Sequence, residues 1–131
     1  MKRENTAGSI VNILSIAAAC GLPNLPAYVA TKGALKSFTK NIANSLRHDR
    51  IRVNGINLGW TDTPGEHEIQ KKEGMGDDWL ETAEKQSPFG RLLKPDDVAR
   101  LCLYLLSEES GIMTGSTFDY SQRVIGALAP I

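Results

Sequence analysis

The sequence predicts an α/β protein, with a partial parallel sheet of about three strands flanked by helices. The run at 9–15 is almost entirely apolar rather than alternating, which is typical of a strand buried on both faces. Residues 27–47 repeat apolar side chains at helical spacing. A second apolar strand follows directly at 51–57. Because strand, helix and strand alternate, we expect right-handed crossovers between parallel strands.

Two irregular stretches and one long helix make up most of the rest of the first half of the chain. Residues 1–8 are polar and irregular, and 16–26 read as a loop because small residues, glycine and prolines dominate them. The helix at 27–47 should bury one apolar face, formed by Leu35, Phe38, Ile42 and Leu46. Gly33 inside this helix costs about 1 kcal/mol against alanine, which indicates close approach of another backbone or of a ligand.

The segment 60–94 is charged and interrupted by prolines and glycines. It is too long for an ordinary connection, and segments of this kind are often lids or binding segments. We therefore expect a substrate lid with two short helices, near 66–73 and 77–86. Trp79 and Met75 either cover a substrate or pack the segment onto the core, and the sequence leaves both interpretations open.

A last helix begins at Pro95, with two aspartates in its first turn. Its apolar stripe contains Val98, Leu101, Cys102 and Leu105. Residues 115–120 predict a final short strand. Since no linker-like stretch interrupts the chain, we expect residues 1–131 to form a single domain.

Composition disfavours several classes of function. The 15 basic and 15 acidic residues balance, and no basic cluster contains interleaved aromatics, so nucleic acid and anionic membranes are not expected partners. No stretch approaches the roughly 20 apolar residues of a membrane span. No cluster with metal-ligand spacing occurs, so no metal is expected. His48 and His67 lie among charged residues and read as surface side chains.

The two cysteines, Cys20 and Cys102, lie far apart and form no CxxC pair. Such usage indicates a reducing compartment, so we expect a cytoplasmic protein in which Cys102 is a buried structural thiol. A lipoprotein signal ending at Cys20 is the alternative, with Lys2-Arg3 as its basic start. Polar residues interrupt its apolar stretch, which disfavours it.

Three polar side chains have the chemistry of proton transfer. Ser15 ends the first strand, so its hydroxyl should lie at the rim of the sheet. Tyr28 and Lys32 are four residues apart near the start of the long helix, which places phenol and ammonium on one face, one turn apart. Taken singly, each has an ordinary interpretation: a strand-end serine, a helix-start aromatic and a surface lysine.

Their context is more specific than the residues themselves. Five segments follow in order: Gly8–Ser15 (GSIVNILS), Tyr28-x-x-x-Lys32, Arg52–Pro64 (RVNGINLGWTDTP), Pro88–Arg91 (PFGR) before the Pro95 helix, and Met113–Gly115. Together they resemble the C-terminal half of a short-chain dehydrogenase/reductase, across essentially the whole chain. The resemblance implies a Rossmann-type fold. It also implies an oxidoreductase that transfers hydride between a nicotinamide cofactor and a carbonyl or alcohol.

The resemblance also implies separate roles for the three polar residues. Tyr28 matches the family's acid/base. Ser15 matches the hydroxyl that hydrogen-bonds the substrate oxygen. Lys32 matches the residue that binds the nicotinamide ribose and favours the phenolate form of the tyrosine.

For cofactor binding, the resemblance implies Tyr28, Lys32 and a loop containing Gly59, Thr61 and Thr63, which would lie along the nicotinamide and pyrophosphate. The family's glycine-rich phosphate-binding turn, GxxxGxG, does not occur in this sequence. The residue that selects NAD or NADP belongs to the same upstream half, so the choice between them stays open. We expect weak cofactor binding by this chain alone.

Two functions of different classes follow. The first is the catalytic half of an NAD(P)-dependent oxidoreductase acting on a small alcohol or carbonyl compound, as a homo-oligomer or completed by a missing N-terminal half. The second is a truncated remnant or oligomerisation module that does not bind cofactor alone. A bare sheet edge, where a further strand would pair, is expected in both cases. Sugars, polyols, steroids and keto-acyl compounds are all admissible substrates.

Overall fold

The computed structural model describes residue 1 and residues 6–127, and its core is one parallel sheet of three strands. The strands are β1 (Gly8–Ser15), β2 (Ile51–Leu58) and β3 (Thr117–Tyr120). β2 lies in the centre and pairs with both neighbours in parallel. The predicted α/β fold with a three-stranded parallel sheet and flanking helices is thereby confirmed.

Five α-helices lie in the described residues: α1 (Ala17–Cys20), α2 (Pro26–Leu46), α3 (Pro64–Lys72), α4 (Trp79–Gln86) and α5 (Pro95–Leu106). Short 3₁₀ turns follow α2 and α5, at Arg47–Asp49 and Glu108–Ser110. The prediction of a continuous loop over 16–26 is wrong at α1. This helix stops after one turn because Gly21 takes a positive φ of 72°.

Helix α2 covers one face of the sheet. Pro26 begins it, where a missing N–H is no loss. Ala43 packs against Ile51 and Val53 of β2, and all three are buried. A small residue at this contact lets the helix axis approach the sheet closely.

The predicted apolar stripe of α2 is partly wrong. Phe38 is 54% exposed, whereas Thr39 beside it is fully buried. The Thr39 hydroxyl accepts a hydrogen bond from Asn12 Nδ2 at 2.9 Å and donates one to the Leu35 carbonyl at 2.8 Å, so its burial leaves no unsatisfied group. A Cβ on Gly33 would meet nothing within 4 Å, so no backbone approaches it closely in residues 6–127.

Helix α5 covers the opposite face and completes three layers. Leu105 is fully buried there. The Ser9 hydroxyl donates to its carbonyl at 2.8 Å, and Arg52 Nη1 donates to the same carbonyl at 3.0 Å. Arg52 Nη2 also donates to the Ser107 carbonyl at 2.8 Å. This guanidinium therefore caps the C-terminal end of α5 and joins it to β2.

The segment 60–94 contains two short helices, α3 and α4, close to the predicted ranges 66–73 and 77–86. Its anchor is Trp79, which is 6% exposed and forms a buried cluster with Ala83 and Leu92. The Trp60 ring lies 6.0 Å from that of Trp79. Trp79 is thus buried within the segment itself, whereas Met75 is exposed. In the described part of the chain, no helix has the length and apolar character needed to cross a membrane.

An ion pair at the start of α5 predicts a pH dependence of stability. Arg91 donates two hydrogen bonds to Asp97, at 2.6 and 3.2 Å, and lowers the pKa of that carboxyl from 3.8 to about 2. The carboxylate therefore stabilises the fold above pH 3.8, and this contribution disappears as the pH falls to about 2. We expect Asp97→Asn to lower the urea midpoint at neutral pH and to differ little from the parent near pH 2.

The control for this prediction is Asp96→Asn, because Asp96 lies in the same helical turn and is exposed. It should leave the midpoint unchanged at both pH values. An Asp97→Asn variant with the same deficit at both values would contradict a role for the ionised carboxylate.

Candidate active site

Tyr28 and Lys32 lie in the first turns of α2, on one face of the helix. The Lys32 ammonium is 5.6 Å from the centroid of the Tyr28 ring. Tyr28 is 41% exposed, so its phenol is open to a ligand, while Lys32 is half-buried. The structure thus brings together the two residues whose spacing predicted a common face.

Ser15 is the last residue of β1, at the carboxyl edge of the sheet. Its hydroxyl oxygen accepts a hydrogen bond from the Ala17 amide at 3.2 Å, which fixes its position. A hydroxyl that accepts one bond still has its own hydrogen to donate. Ser15 can therefore donate to an oxygen of a bound molecule.

Lys32 connects the helix to the end of this strand. Its ammonium donates a hydrogen bond to the Ile13 carbonyl at 2.9 Å, two residues before Ser15. Within residues 6–127, no hydrogen bond joins the Tyr28 hydroxyl to Ser15 directly.

Gly59 follows β2 and lies against the end of β3. Its amide donates to the Tyr120 carbonyl at 2.9 Å. A Cβ at this position would lie 2.7 Å from the Ser121 hydroxyl oxygen and 3.1 Å from its Cα. The crossing of these two segments therefore requires glycine, whether or not a cofactor binds beside it.

The two threonines expected at the cofactor have structural partners. The Thr61 hydroxyl donates to the Gly59 carbonyl at 3.0 Å. Thr63 is the N-cap of α3, and its hydroxyl accepts from the Glu66 amide at 3.1 Å. The Thr63 hydroxyl hydrogen stays available for a phosphate oxygen at this helix start.

A charge network, not evident from the sequence, joins the two ends of the segment 60–94. Lys94 Nζ lies 2.8 Å from Asp62 and 3.0 Å from Glu84, and His67 Nε2 lies 2.7 Å from Asp62. The hydrogen bond from Lys94 lowers the pKa of Asp62, and the hydrogen bond to Asp62 raises the pKa of Lys94. Its members are up to 32 positions apart, so no local pattern could indicate them.

His67 is exposed, as expected of a surface histidine. Its ring also packs edge-on against Trp79, with 4.9 Å between the ring centroids. In the part of the chain that the structure describes, no group of three or more His, Cys, Asp or Glu residues could hold a metal ion. Cys102 is half-buried, and burial raises the pKa of its thiol.

Comparison with known proteins shows which family the chain belongs to. A family model described as "Enoyl-(Acyl carrier protein) reductase" matches residues 1–121. A short-chain dehydrogenase family protein from Francisella tularensis superposes with a TM-score of 0.76 and 32% identity, over 87% of this chain and 49% of that one. The chain belongs to the short-chain dehydrogenase/reductase family.

Other members of the short-chain dehydrogenase/reductase family are similarly close. The NADP-dependent (R)-specific alcohol dehydrogenase of Lentilactobacillus kefiri is 35% identical over 120 residues, which is 90% of this chain and 46% of that protein. The L-sorbose reductase of Gluconobacter frateurii, solved with NADPH and L-sorbose, has a TM-score of 0.85 and 31% identity, over 96% of this chain and 50% of that one. The chain spans about half the length of the relatives it matches.

Proposed function

We propose that this chain carries the acid/base centre of an NAD(P)-dependent oxidoreductase that interconverts an alcohol and a carbonyl compound. One observation carries the proposal. Lys32 lies one helical turn from Tyr28, and its ammonium is hydrogen-bonded at the end of the strand that presents Ser15. Lys32 thus links the helical turn that carries Tyr28 to the strand that ends in Ser15.

Each residue has a chemical task in this proposal. In oxidation, Tyr28 as phenolate accepts the proton of the substrate hydroxyl, and in reduction its phenol returns that proton to the carbonyl oxygen. Ser15 donates a hydrogen bond to the same oxygen as its charge changes. The Lys32 ammonium stabilises negative charge on the phenolate.

A nicotinamide cofactor, NAD or NADP, would supply the hydride acceptor or donor when bound. The residues present fit part of such a group, because Lys32 offers an ammonium for ribose hydroxyls and Thr63 offers a free hydroxyl hydrogen at a helix start. Gly59 and Thr61 form the backbone of the same loop. No glycine-rich turn in this sequence would hold the remaining phosphate.

The proposal extends to the architecture of the active protein. Residues 1–131 act as a single domain, in which 60–94 is the substrate lid. A homo-oligomer or a complementary N-terminal half completes the sheet. Two distant cysteines suit a reducing, cytoplasmic setting. The substrate class is a small alcohol or carbonyl compound, by analogy with relatives named as alcohol and cyclohexanol dehydrogenases.

A second function is favoured by a different observation. The outer side of β1 has no neighbouring strand in the described residues, and Lys32 is engaged there. A chain in this state would act as a non-catalytic remnant or oligomerisation module that binds no cofactor alone. Titration of the 131-residue chain with NADH and NADPH, followed by cofactor fluorescence, separates this function from the first.

The decisive experiment joins the chain to the missing half of the fold. The part of the Lentilactobacillus kefiri enzyme that this chain does not match is fused upstream of Met1, and oxidation of NADPH with simple ketones is followed by absorbance. We expect ketone-dependent turnover by the fusion and none by either part alone. A folded fusion that binds NADPH but shows no turnover with any ketone tested would contradict the catalytic proposal.

A further inference from the structure

The segment 60–94 has a buried core of its own. This cluster consists of Trp79, Ala83 and Leu92, with Leu80 packed against it, and it includes no residue of the sheet. Helices α3 and α4 make few contacts with the strands or with α2 and α5. The segment can therefore keep its internal packing when its position on the sheet changes.

The two ends of the segment are paired with each other. Thr61 forms a parallel bridge with Leu93. The Asp62 amide donates to the Leu93 carbonyl at 2.8 Å, and the Leu93 amide donates to the Trp60 carbonyl at 3.2 Å. Lys94 adds an ion pair with Asp62. The segment therefore leaves and rejoins the rest of the chain at one place, which is the geometry of a hinge.

Gln122, two residues beyond the end of β3, binds the segment at the turn 88–91. Its Oε1 accepts a hydrogen bond from the Phe89 amide at 2.8 Å, and its Nε2 donates to the Arg91 carbonyl. These partners determine the orientation of the side-chain amide, because a flipped amide would face donor to donor and acceptor to acceptor. Gln122 thus pairs with two backbone groups of the turn, as a neighbouring strand would.

Close apolar packing does not support this attachment. A cavity of about 250 Å³ lies between the turn and the end of β3, with Phe89, Leu92 and Leu93 on one side and Tyr120 and Ser121 on the other. Atoms that face such a gap lose their dispersion contacts. The attachment at this point therefore depends on the two bonds of Gln122 and on the ion pair of Arg91 with Asp97 of α5.

We propose that Gln122 is a positioning residue for the segment 60–94. Its side-chain amide holds the turn 88–91 against the end of β3, and loss of its bonds shifts the segment toward an undocked state that keeps its internal fold. That the docked segment covers a substrate, so that Gln122 acts on substrate affinity, rests on the proposed function. The docking itself does not.

The test follows amide exchange by NMR in the 131-residue chain. Gln122→Ala removes both bonds, and we expect the Phe89 amide to exchange at least about tenfold faster, the value of two modest hydrogen bonds. The amides of α4 and β2 should stay within about twofold of the parent, because the segment is released without unfolding. Gln86→Ala is the matched control, since Gln86 is an exposed glutamine of the same segment. It should leave the Phe89 amide unchanged.

Gln122→Glu separates the two bonds. At neutral pH its carboxylate can still accept from the Phe89 amide, but it cannot donate to the Arg91 carbonyl. We expect the Phe89 amide to exchange at a rate between those of the parent and of Gln122→Ala. The carbonyl ¹³C resonance of Arg91 should shift in both Gln122 variants and stay unchanged in Gln86→Ala.

Four outcomes overturn the proposal. These are unchanged exchange of the Phe89 amide in Gln122→Ala, equal acceleration in α4 or β2, equal acceleration in Gln86→Ala, or an Arg91 carbonyl resonance that neither Gln122 variant shifts. Acceleration in α4 would mean that the segment unfolds rather than undocks. Acceleration in β2 would mean that Gln122 stabilises the whole fold.

The effect on substrate is measured in the fusion with the upstream half of the Lentilactobacillus kefiri enzyme. Gln122→Ala should raise the KM for a ketone about twofold or more, because only the docked fraction of molecules binds substrate well. The kcat should change less, since Gln122 touches no reacting atom. An unchanged KM beside a released Phe89 amide would contradict the effect on substrate affinity. Because amide exchange requires no turnover, an inactive fusion would contradict the proposed function alone.

Discussion

Replacing Tyr28 with phenylalanine in the fused, cofactor-binding protein should reduce kcat by about 10²- to 10⁴-fold, the usual contribution of a positioned general acid or base. The change removes only the hydroxyl and keeps the ring that lies 5.6 Å from the Lys32 ammonium. Substrate binding should change much less, because Ser15 can still donate to the substrate oxygen. The expected result is therefore a large loss in kcat with a small change in KM.

The phenylalanine variant should fold as the parent does. In the described residues, the Tyr28 hydroxyl makes no hydrogen bond to Ser15 or Lys32, so its removal leaves no such partner unsatisfied. Tyr104→Phe is the matched control, since Tyr104 is an exposed tyrosine on α5. Full activity in the Tyr28 variant, with the control also active, would remove Tyr28 from the mechanism.

The elements that the sequence predicts well are those with an uninterrupted local signal. The apolar run that ends at Ser15 and the proline at the start of α5 both mark real boundaries. Phe38 shows the limit of periodicity. Helical periodicity shows which residues share a face, but it does not show which of them fit against the sheet. The residues buried there are small or polar, namely Thr39 and Ala43.

The candidate site also contains one feature that the sequence predicts and one that it does not. The spacing of Tyr28 and Lys32 is local, and α2 places them together as expected. The bond from Lys32 to the Ile13 carbonyl depends on which carbonyls of β1 are not paired with β2 in the described residues. No spacing in the sequence contains that information, because it arises from the pairing of strands far apart in the chain.

Gly59 shows that one residue can satisfy two interpretations. The family resemblance assigns it to the cofactor loop, whereas the structure gives it a packing reason, the close approach of Ser121. Thr63 is similar, because its N-cap bond to the Glu66 amide would hold the helix start with or without a phosphate. Roles in cofactor binding therefore remain proposals that the fold alone does not require.

Trp79→Ala should release the segment 60–94 while leaving the sheet intact. Loss of a buried tryptophan costs about 3–5 kcal/mol. Trp79 packs against Ala83 and Leu92, and these three buried residues form a cluster of their own. The buried cluster beneath α2, which includes Val53, is a different one. The lost contacts therefore belong to the segment 60–94, and unfolding should begin in that segment.

Hydrogen exchange with mass spectrometry can locate this loss. Peptides from α3 and α4 should exchange much faster in Trp79→Ala, whereas peptides from β2 should stay close to the parent. Met75→Ala is the matched control, because Met75 is an exposed apolar residue of the same segment. Equal acceleration in β2 would contradict the independence of the two clusters. Unchanged exchange in α3 and α4 would mean that the charge network of Asp62, Lys94 and Glu84 keeps the segment 60–94 folded without Trp79.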